Sequence, residues 1–201
     1  MSSATQATAD RILDTAERLV QMRGFNGFSY ADVAAELEVT KPSLHYHFPS
    51  KAELGEALID RYSARFADAL DGIYAEPTGA LAKLRAYADL YAGVLDDERM
   101  CLCGMLAAEY RTLPDAMRSA VVAFFDSNEV WLDKVLREGR RRGELAFTGS
   151  ARDVARAMIS ALEGAMLTSR PYSDPERFRA TARQMIKRFA NPAKPGRRVS
   201  A

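Results

Sequence analysis

The chain has 201 residues, of which 48% are hydrophobic and 27% charged, and its formal net charge is +1. These values are ordinary for a soluble globular protein, and they give no global indication of a nucleic-acid partner. No apolar run approaches the roughly 18 residues that would cross a bilayer. The N-terminal segment contains acids and lacks the apolar core of a signal peptide. We therefore expect a cytoplasmic protein with no membrane segment.

Apolar residues at helical spacing predict a first helix that ends before Gly24, a stop signal. Its apolar stripe consists of Ile12, Leu13, Ala16, Leu19 and Val20. Two short helices are predicted next, over 30–37 and 41–48. A capping box of Ser29 and Asp32 opens the first of them, and Thr40 is a favourable N-cap for the second. Only about three residues separate the two helices, which is the layout of a helix-turn-helix.

Helical spacing continues through the rest of the chain, and Ser50 and Glu53 form a second capping box. The further predicted helices cover about 50–72, 79–95, 100–110, 114–142, 150–169 and 174–190. No alternating strand pattern of useful length is present. The sequence therefore predicts an all-α fold of about nine helices. The segment 191–201 contains Pro, Gly and Arg, and we expect it to be a disordered tail.

Both histidines of the chain, His45 and His47, lie in the second helix of the predicted helix-turn-helix. At i and i+2 they point about 200° apart and cannot share one metal ion, and no nucleophile motif or Gly-rich phosphate loop suggests catalysis. A nucleic-acid reader explains more of the segment, because Leu44 and Phe48 share one face and would pack inward. The other faces carry Lys41, Ser43, His45 and Tyr46, which could reach phosphates or base edges.

At these residues the chain resembles the TetR/AcrR family of bacterial transcriptional regulators, whose pattern here is a small residue, an apolar residue, Ser/Thr, then "xxxLYxHFxxKxxL". The matching positions are Val39, Thr40, Leu44, His47, Phe48, Lys51 and Leu54. The upstream "ILDTAERLVQMRGFNGFSYADVAAEL" is also similar to the family's first two helices. Two positions depart from the pattern: His45 stands where Tyr is usual, and Glu38 where Gly is common. If Glu38 adopts a positive φ, the strain is about 1 kcal/mol.

The resemblance implies a helix-turn-helix DNA-binding domain over 1–50 and a helical ligand-binding and dimerisation domain over 51–190. It places Thr40, Lys41, Ser43 and His45 in the major groove. It places Tyr46, His47 and Lys51 on backbone phosphates. Tyr30 is left open between a phosphate contact and a solvated helix start. The implied function is a ligand-responsive regulator and repressor, with no catalytic residue, metal or cofactor. It would bind a palindromic double-stranded DNA operator as a homodimer until a small-molecule effector of unknown identity releases it.

The second half of the chain would supply the dimer helices, over 150–169 and 174–190, and the effector pocket. Small residues that would let a partner helix, or a helix of the same chain, approach closely are Ala157, Ala161, Gly164 and Ala165. The candidate pocket linings are Tyr87, Tyr91, Cys103, Met105, Tyr110, Phe124, Trp131 and Met158. Aromatic residues and methionines suit an adaptable pocket, and they equally suit a plain helical core.

The pair Cys101 and Cys103 leaves two interpretations open. The thiols are either small buried hydrophobes or partly exposed, activated sensors of electrophiles or oxidants. The acids at 96–98 favour the first interpretation, because they would raise a thiol pKa. A cysteine-based enzyme would have no histidine outside the predicted reader. A protein-docking helix-turn-helix is a further alternative, which a steep salt dependence of DNA binding would exclude.

Overall fold

The computed structural model describes residues 3–191 and contains nine α-helices within that range. They are α1 Ser3–Arg23, α2 Tyr30–Leu37, α3 Lys41–His47, α4 Lys51–Ala75, α5 Ala80–Asp96, α6 Leu102–Ala108, α7 Asp115–Arg141, α8 Ala151–Ser169 and α9 Pro175–Lys187. The predicted all-α class is confirmed. Of the predicted tail, 192–201 lie outside the described residues. Asn191 donates its side-chain amide to the carbonyl of Gly143 at 3.0 Å.

Local capping signals determine several helix ends. The backbone N–H of Ser29 donates to the Asp32 carboxylate at 2.7 Å, and the N–H of Glu53 donates to the Ser50 hydroxyl at 3.1 Å. The capping box of Ser29 and Asp32 therefore forms as predicted, and at α4 the Ser50 hydroxyl also donates to the Glu53 carboxylate at 2.9 Å. Thr40 does occupy the N-cap position of α3, but its side chain makes no capping hydrogen bond. After α1, Gly24 adopts φ 83°, a left-handed conformation that a side chain would strain.

The described chain divides into two compact units. The first runs to Asp68 and also includes Asp97–Phe125. In it, α1 packs against α2 and α6, and α2 packs against α3. The predicted apolar stripe of α1 is buried throughout. The buried carboxylate of Glu17, also on α1, forms ion pairs with Arg61 and Arg65 of α4.

The second unit consists of Ala69–Asp96 and the chain from Asp126 onward. In it, α9 packs against α5 and α8. Its core includes Leu84, Leu132, Leu136, Leu162, Met166 and Phe178. These units are groupings by packing. The division into functional domains at residue 50 stays a prediction.

Candidate DNA-binding surface

The turn between α2 and α3 is closed by a residue in a left-handed conformation. Glu38 has φ 56° and ψ 38°. The N–H of Val39 donates to the carbonyl of Ala34 at 3.0 Å, which ends α2 and redirects the chain. Glu38 therefore does adopt the positive φ that was considered from the sequence. Its strain, about 1 kcal/mol for a residue with a Cβ, is carried by the packing of the two helices.

Two internal contacts hold α3 against α2. Leu44 is fully buried and Phe48 is half-buried, so the face predicted to pack inward does so. The Tyr30 hydroxyl donates to the carbonyl of Phe48 at 2.7 Å and ties the first residue of α2 to the end of α3. Burial, with the nearby charge of Glu53, raises the pKa of Tyr30 to about 12. Tyr30 as a whole is 9% exposed, so it is not a solvated helix start.

The other face of α3 is open to solvent. Thr40, Lys41, His45 and Tyr46 are exposed, whereas Ser43 and His47 are half-buried. Tyr46 is 77% exposed, a large value for an aromatic side chain. His47 meets its ring edge-to-face at a centroid distance of 5.2 Å. The predicted groove-reading side chains thus lie on or beside an accessible helix face.

His45 is oriented by two neighbours. Its ring lies 4.8 Å from the ring of Tyr30, and its Nδ1 lies 3.0 Å from the carbonyl oxygen of Pro49. Since a carbonyl can only accept, Nδ1 carries a hydrogen in this arrangement. When the ring is neutral, Nε2 is the acceptor that it offers to a ligand.

A concave patch lies at the N-terminus of α2 and encloses a volume of about 340 Å³. It brings together four predicted site residues: Tyr30, Lys41, His45 and Lys51. Thr40, Ser43, Tyr46 and His47 do not line it. Phe28, Ser29 and Ala31 complete the lining, and sequence reasoning missed them. The first amides of a helix and two lysines favour an anion of phosphate size. The patch can therefore hold a nucleic-acid phosphate beside the exposed face of α3.

The amine of Lys51 is engaged within the protein. It donates to the carbonyls of Phe25 and Phe28 and lies 4.6 and 4.3 Å from the centroids of their rings. Burial lowers the pKa of Lys51, and the charges of Glu109 and Asp32 oppose that shift. The phosphate contact expected of Lys51 stays a prediction, since DNA would have to compete with these two carbonyls.

Comparison with known proteins decides the family. Residues 12–58 match the family of bacterial regulatory proteins called the tetR family, and residues 80–185 match the tetracyclin repressor-like C-terminal domain. The chain belongs to the TetR family. A TetR-family regulator from Agrobacterium tumefaciens of known crystal structure is 34% identical, with a TM-score of 0.89 over 92% of this chain and 99% of that one.

Two curated relatives are similar over most of their length. The transcriptional regulator AcuR of Cereibacter sphaeroides is 27% identical over 83% of this chain and 78% of AcuR. The HTH-type transcriptional repressor NemR of Escherichia coli K12 is 28% identical over 81% of this chain and 84% of NemR. As a TetR-family member, this chain is a ligand-responsive, DNA-binding transcriptional regulator rather than an enzyme, and members of this family are typically homodimers. Across residues 3–191, no helix has the length and apolar character to cross a membrane.

The eight candidate pocket residues of this TetR-family chain fall four in each compact unit. In the first unit Cys103 and Phe124 are buried, Met105 is half-buried, and Tyr110 is 40% exposed. In the second unit Tyr87, Tyr91, Trp131 and Met158 are all buried. No ligand tests this set, and it stays a prediction.

Within the second unit, three of these candidates form a cluster that a buried amide joins through Tyr87. The Tyr87 hydroxyl lies 3.1 Å from that of Tyr91 and donates to the side-chain carbonyl of Asn128 at 2.9 Å. The rings of Tyr87 and Trp131 are stacked at 5.6 Å. Asn128 is 1% exposed. Sequence reasoning missed it because helical spacing identifies buried positions but does not show which of them contact a candidate site. Together these groups offer an aromatic surface with hydroxyl and amide groups.

Cys101 and Cys103 are 1% and 0% exposed and are not disulfide-bonded. Cys101 is the N-cap of α6, and its sulfur accepts from the N–H of Gly104 at 3.4 Å. The Tyr62 hydroxyl approaches the same sulfur at 3.7 Å. These surroundings agree with the buried, structural interpretation of the pair.

Proposed function

We propose that the chain is a cytoplasmic homodimeric repressor that reads a palindromic operator with the exposed face of α3. The observation that carries the proposal is the accessible row of polar side chains on α3 beside the concave patch lined by Lys41, His45 and Lys51. A two-fold dimer requires half-sites about one helical turn, roughly 34–36 Å, apart.

The contacts divide into two kinds. Thr40, Lys41, Ser43 and His45 face base edges in the major groove, where each base pair presents a distinct pattern of donors and acceptors. Tyr46 and His47 contact phosphates, which position the protein without specifying sequence, whereas the amine of Lys51 stays on the carbonyls of Phe25 and Phe28. The patch at the N-terminus of α2 supports a phosphate beside Lys41.

His45 contributes sequence preference through its orientation. With Nδ1 bound to the Pro49 carbonyl, the neutral ring reads a base-edge donor through Nε2. Cytosine N4 and adenine N6 supply such donors in the major groove. We therefore expect His45 to face a cytosine or an adenine.

The surface of α8 and α9 provides the dimer contact. Ala157, Gly164 and Leu167 are exposed on α8, Leu167 by 61%. On α9, Ala180, Gln184 and Met185 line an open concavity. Small residues permit close helix approach, and an exposed apolar surface favours burial by a second copy. Ala165, one of the predicted small residues, is buried within the chain instead.

The effector is a small molecule that binds the ligand-binding half, where the cluster of Tyr87, Tyr91 and Asn128 offers polar groups inside an apolar core. Its binding shifts α4 and changes the separation of the two reading helices. To weaken operator binding about a hundredfold, the effector must supply roughly 2.7 kcal/mol of coupling free energy.

Selection from a pool of random duplexes with the purified full chain tests this function. We expect an inverted repeat to be enriched, and gel shifts on it should show one dimer per duplex. Equal affinity for enriched and unrelated duplexes at physiological salt would refute the proposal.

A further inference from the structure

The connection Gly24–Phe28, which joins α1 to α2, is positioned by groups outside itself. Its one internal backbone hydrogen bond runs from the N–H of Gly27 to the carbonyl of Gly24 at 3.2 Å. The rings of Phe25 and Phe28 are 5% and 4% exposed. Two of its N–H groups and two of its carbonyls bond instead to side chains from the segment after α6 and from α4. Its placement therefore depends on those side chains.

The carboxylate of Glu109, the residue that follows α6, binds the amide side of this connection. Its Oε2 accepts from the N–H of Phe25 at 2.7 Å and from the N–H of Asn26 at 3.2 Å. A Cβ on Gly24 would lie 2.5 Å from Oε1, so the absence of a side chain at Gly24 admits the carboxylate. Nearby, the Asn26 side-chain amide donates to the Thr112 hydroxyl at 2.7 Å. Two backbone amides thus share one carboxylate oxygen from a distant part of the sequence.

A positively charged side chain binds the carbonyl groups of the same connection. Lys51, the first residue of α4, donates to the carbonyls of Phe25 and Phe28. Hydrogen bonds to ionised groups are about twice as strong as neutral ones, so the two side chains hold the connection from both sides. The residue after it, Ser29, caps α2. A displaced connection would therefore move α2, and with it α3.

We propose that Glu109 is a positioning residue for DNA binding: it holds the α1–α2 connection so that α2 and α3 are oriented for the operator before DNA arrives. This inference rests on the proposed function. The sign of the effect separates positioning from simple electrostatics. An acidic side chain repels phosphates, so loss of its charge alone would leave operator binding unchanged or strengthen it. Loss of positioning weakens it.

The test compares Glu109→Gln with a matched control, Asp115→Asn. Both variants remove one negative charge from the same unit, but Asp115 is exposed and pairs with Arg118 on its own helix. Operator affinity is measured on the selected duplex over a series of salt concentrations. We expect Glu109→Gln to bind about tenfold more weakly, within the usual range for coupled sites, with an unchanged salt slope. The control should bind at least as tightly as wild type.

Two further measurements exclude a folding artefact. Stoichiometric titration gives the active fraction, which stays complete if positioning alone is lost. If Glu109→Gln does not fold, Glu109→Asp keeps the charge but shortens its reach, and we expect an intermediate loss of affinity. Wild-type or tighter operator binding by Glu109→Gln would overturn the proposal. So would an apparent loss of affinity that disappears once the protein concentration is corrected for the active fraction.

Amide exchange in the DNA-free protein separates this inference from the proposed function. In Glu109→Gln, we expect faster exchange at Phe25, at Asn26 and through α2, with α9 unchanged. Unchanged exchange at these amides overturns the inference even if the operator is found. Faster exchange in a protein that selects no duplex would show that Glu109 holds the connection while the DNA function, and the positioning role with it, is wrong.

Discussion

Replacement of Lys51 by Met keeps most of the apolar stem and removes the amine, with its hydrogen bonds to the carbonyls of Phe25 and Phe28 and its contacts with their rings. A hydrogen bond to a charged group contributes about 1.5–3 kcal/mol. Two effects reduce this value. The side chain of Lys51 is half-buried rather than buried. The Met variant also no longer has to bury a charged amine, an unfavourable step that lowers the pKa of Lys51 in the wild type. We expect a loss of about 1–2 kcal/mol in unfolding free energy and of about 2–8 °C in Tm for a chain of this size.

The assay combines thermal unfolding with the salt dependence of operator binding, because the two roles of Lys51 predict opposite patterns. A phosphate contact contributes about 0.9 to the log–log salt slope, or about 1.8 for a dimer. Lys41→Met is the matched control, since Lys41 is exposed on α3. We expect Lys51→Met to lower Tm with little change of slope, and the control to lower the slope with little change of Tm. A wild-type Tm with a reduced slope for Lys51→Met would refute the internal role argued from the structure.

Three further predictions follow from particular residues. Glu38→Gly should raise the unfolding free energy by about 0.5–1 kcal/mol, because glycine adopts φ 56° without strain; in urea unfolding, Ala35→Gly within α2 should instead destabilise. The neutral phenol of Tyr30 is favoured in the folded protein, since its pKa rises from 10.0 to about 12. The contribution of Tyr30 to the unfolding free energy should therefore be complete below pH 10 and be lost as the pH rises toward 12. The difference in unfolding free energy between wild type and Tyr30→Phe should shrink over that range. A constant difference would contradict the assigned burial of Tyr30. Cys101 and Cys103 should react with an alkylating reagent only when the protein unfolds, and rapid labelling of the native dimer that releases DNA would revive the sensor interpretation.

Interactions between residues close in sequence could be predicted, because their geometry is local. Ser29 with Asp32 and Ser50 with Glu53 are three residues apart, and the spacing alone brings a side chain to a helix-end amide. The family's usual Gly at the position of Glu38 raised the positive φ as a condition, and Glu38 does have φ 56°. Helix period likewise identified the buried stripe of α1.

Long-range polar contacts could not be predicted in the same way. The carbonyl partners of Lys51 lie 23 and 26 residues before it, and Glu109 meets an amide 84 residues away. Backbone groups have no sequence signature, so a lysine or glutamate bound to them looks like any surface charge. Thr40 shows a smaller failure: its residue type suits an N-cap, but its side chain makes no capping bond.

The central claim, that α3 of a homodimer reads a specific duplex, is tested most directly by competition. Labelled selected operator is titrated with the purified chain at physiological salt and then displaced by unlabelled operator or by a duplex with scrambled half-sites. We expect the operator to compete at least about a thousandfold better than the scrambled duplex, as it does for specific regulators, with two protomers per site. Equal competition by both duplexes would contradict it.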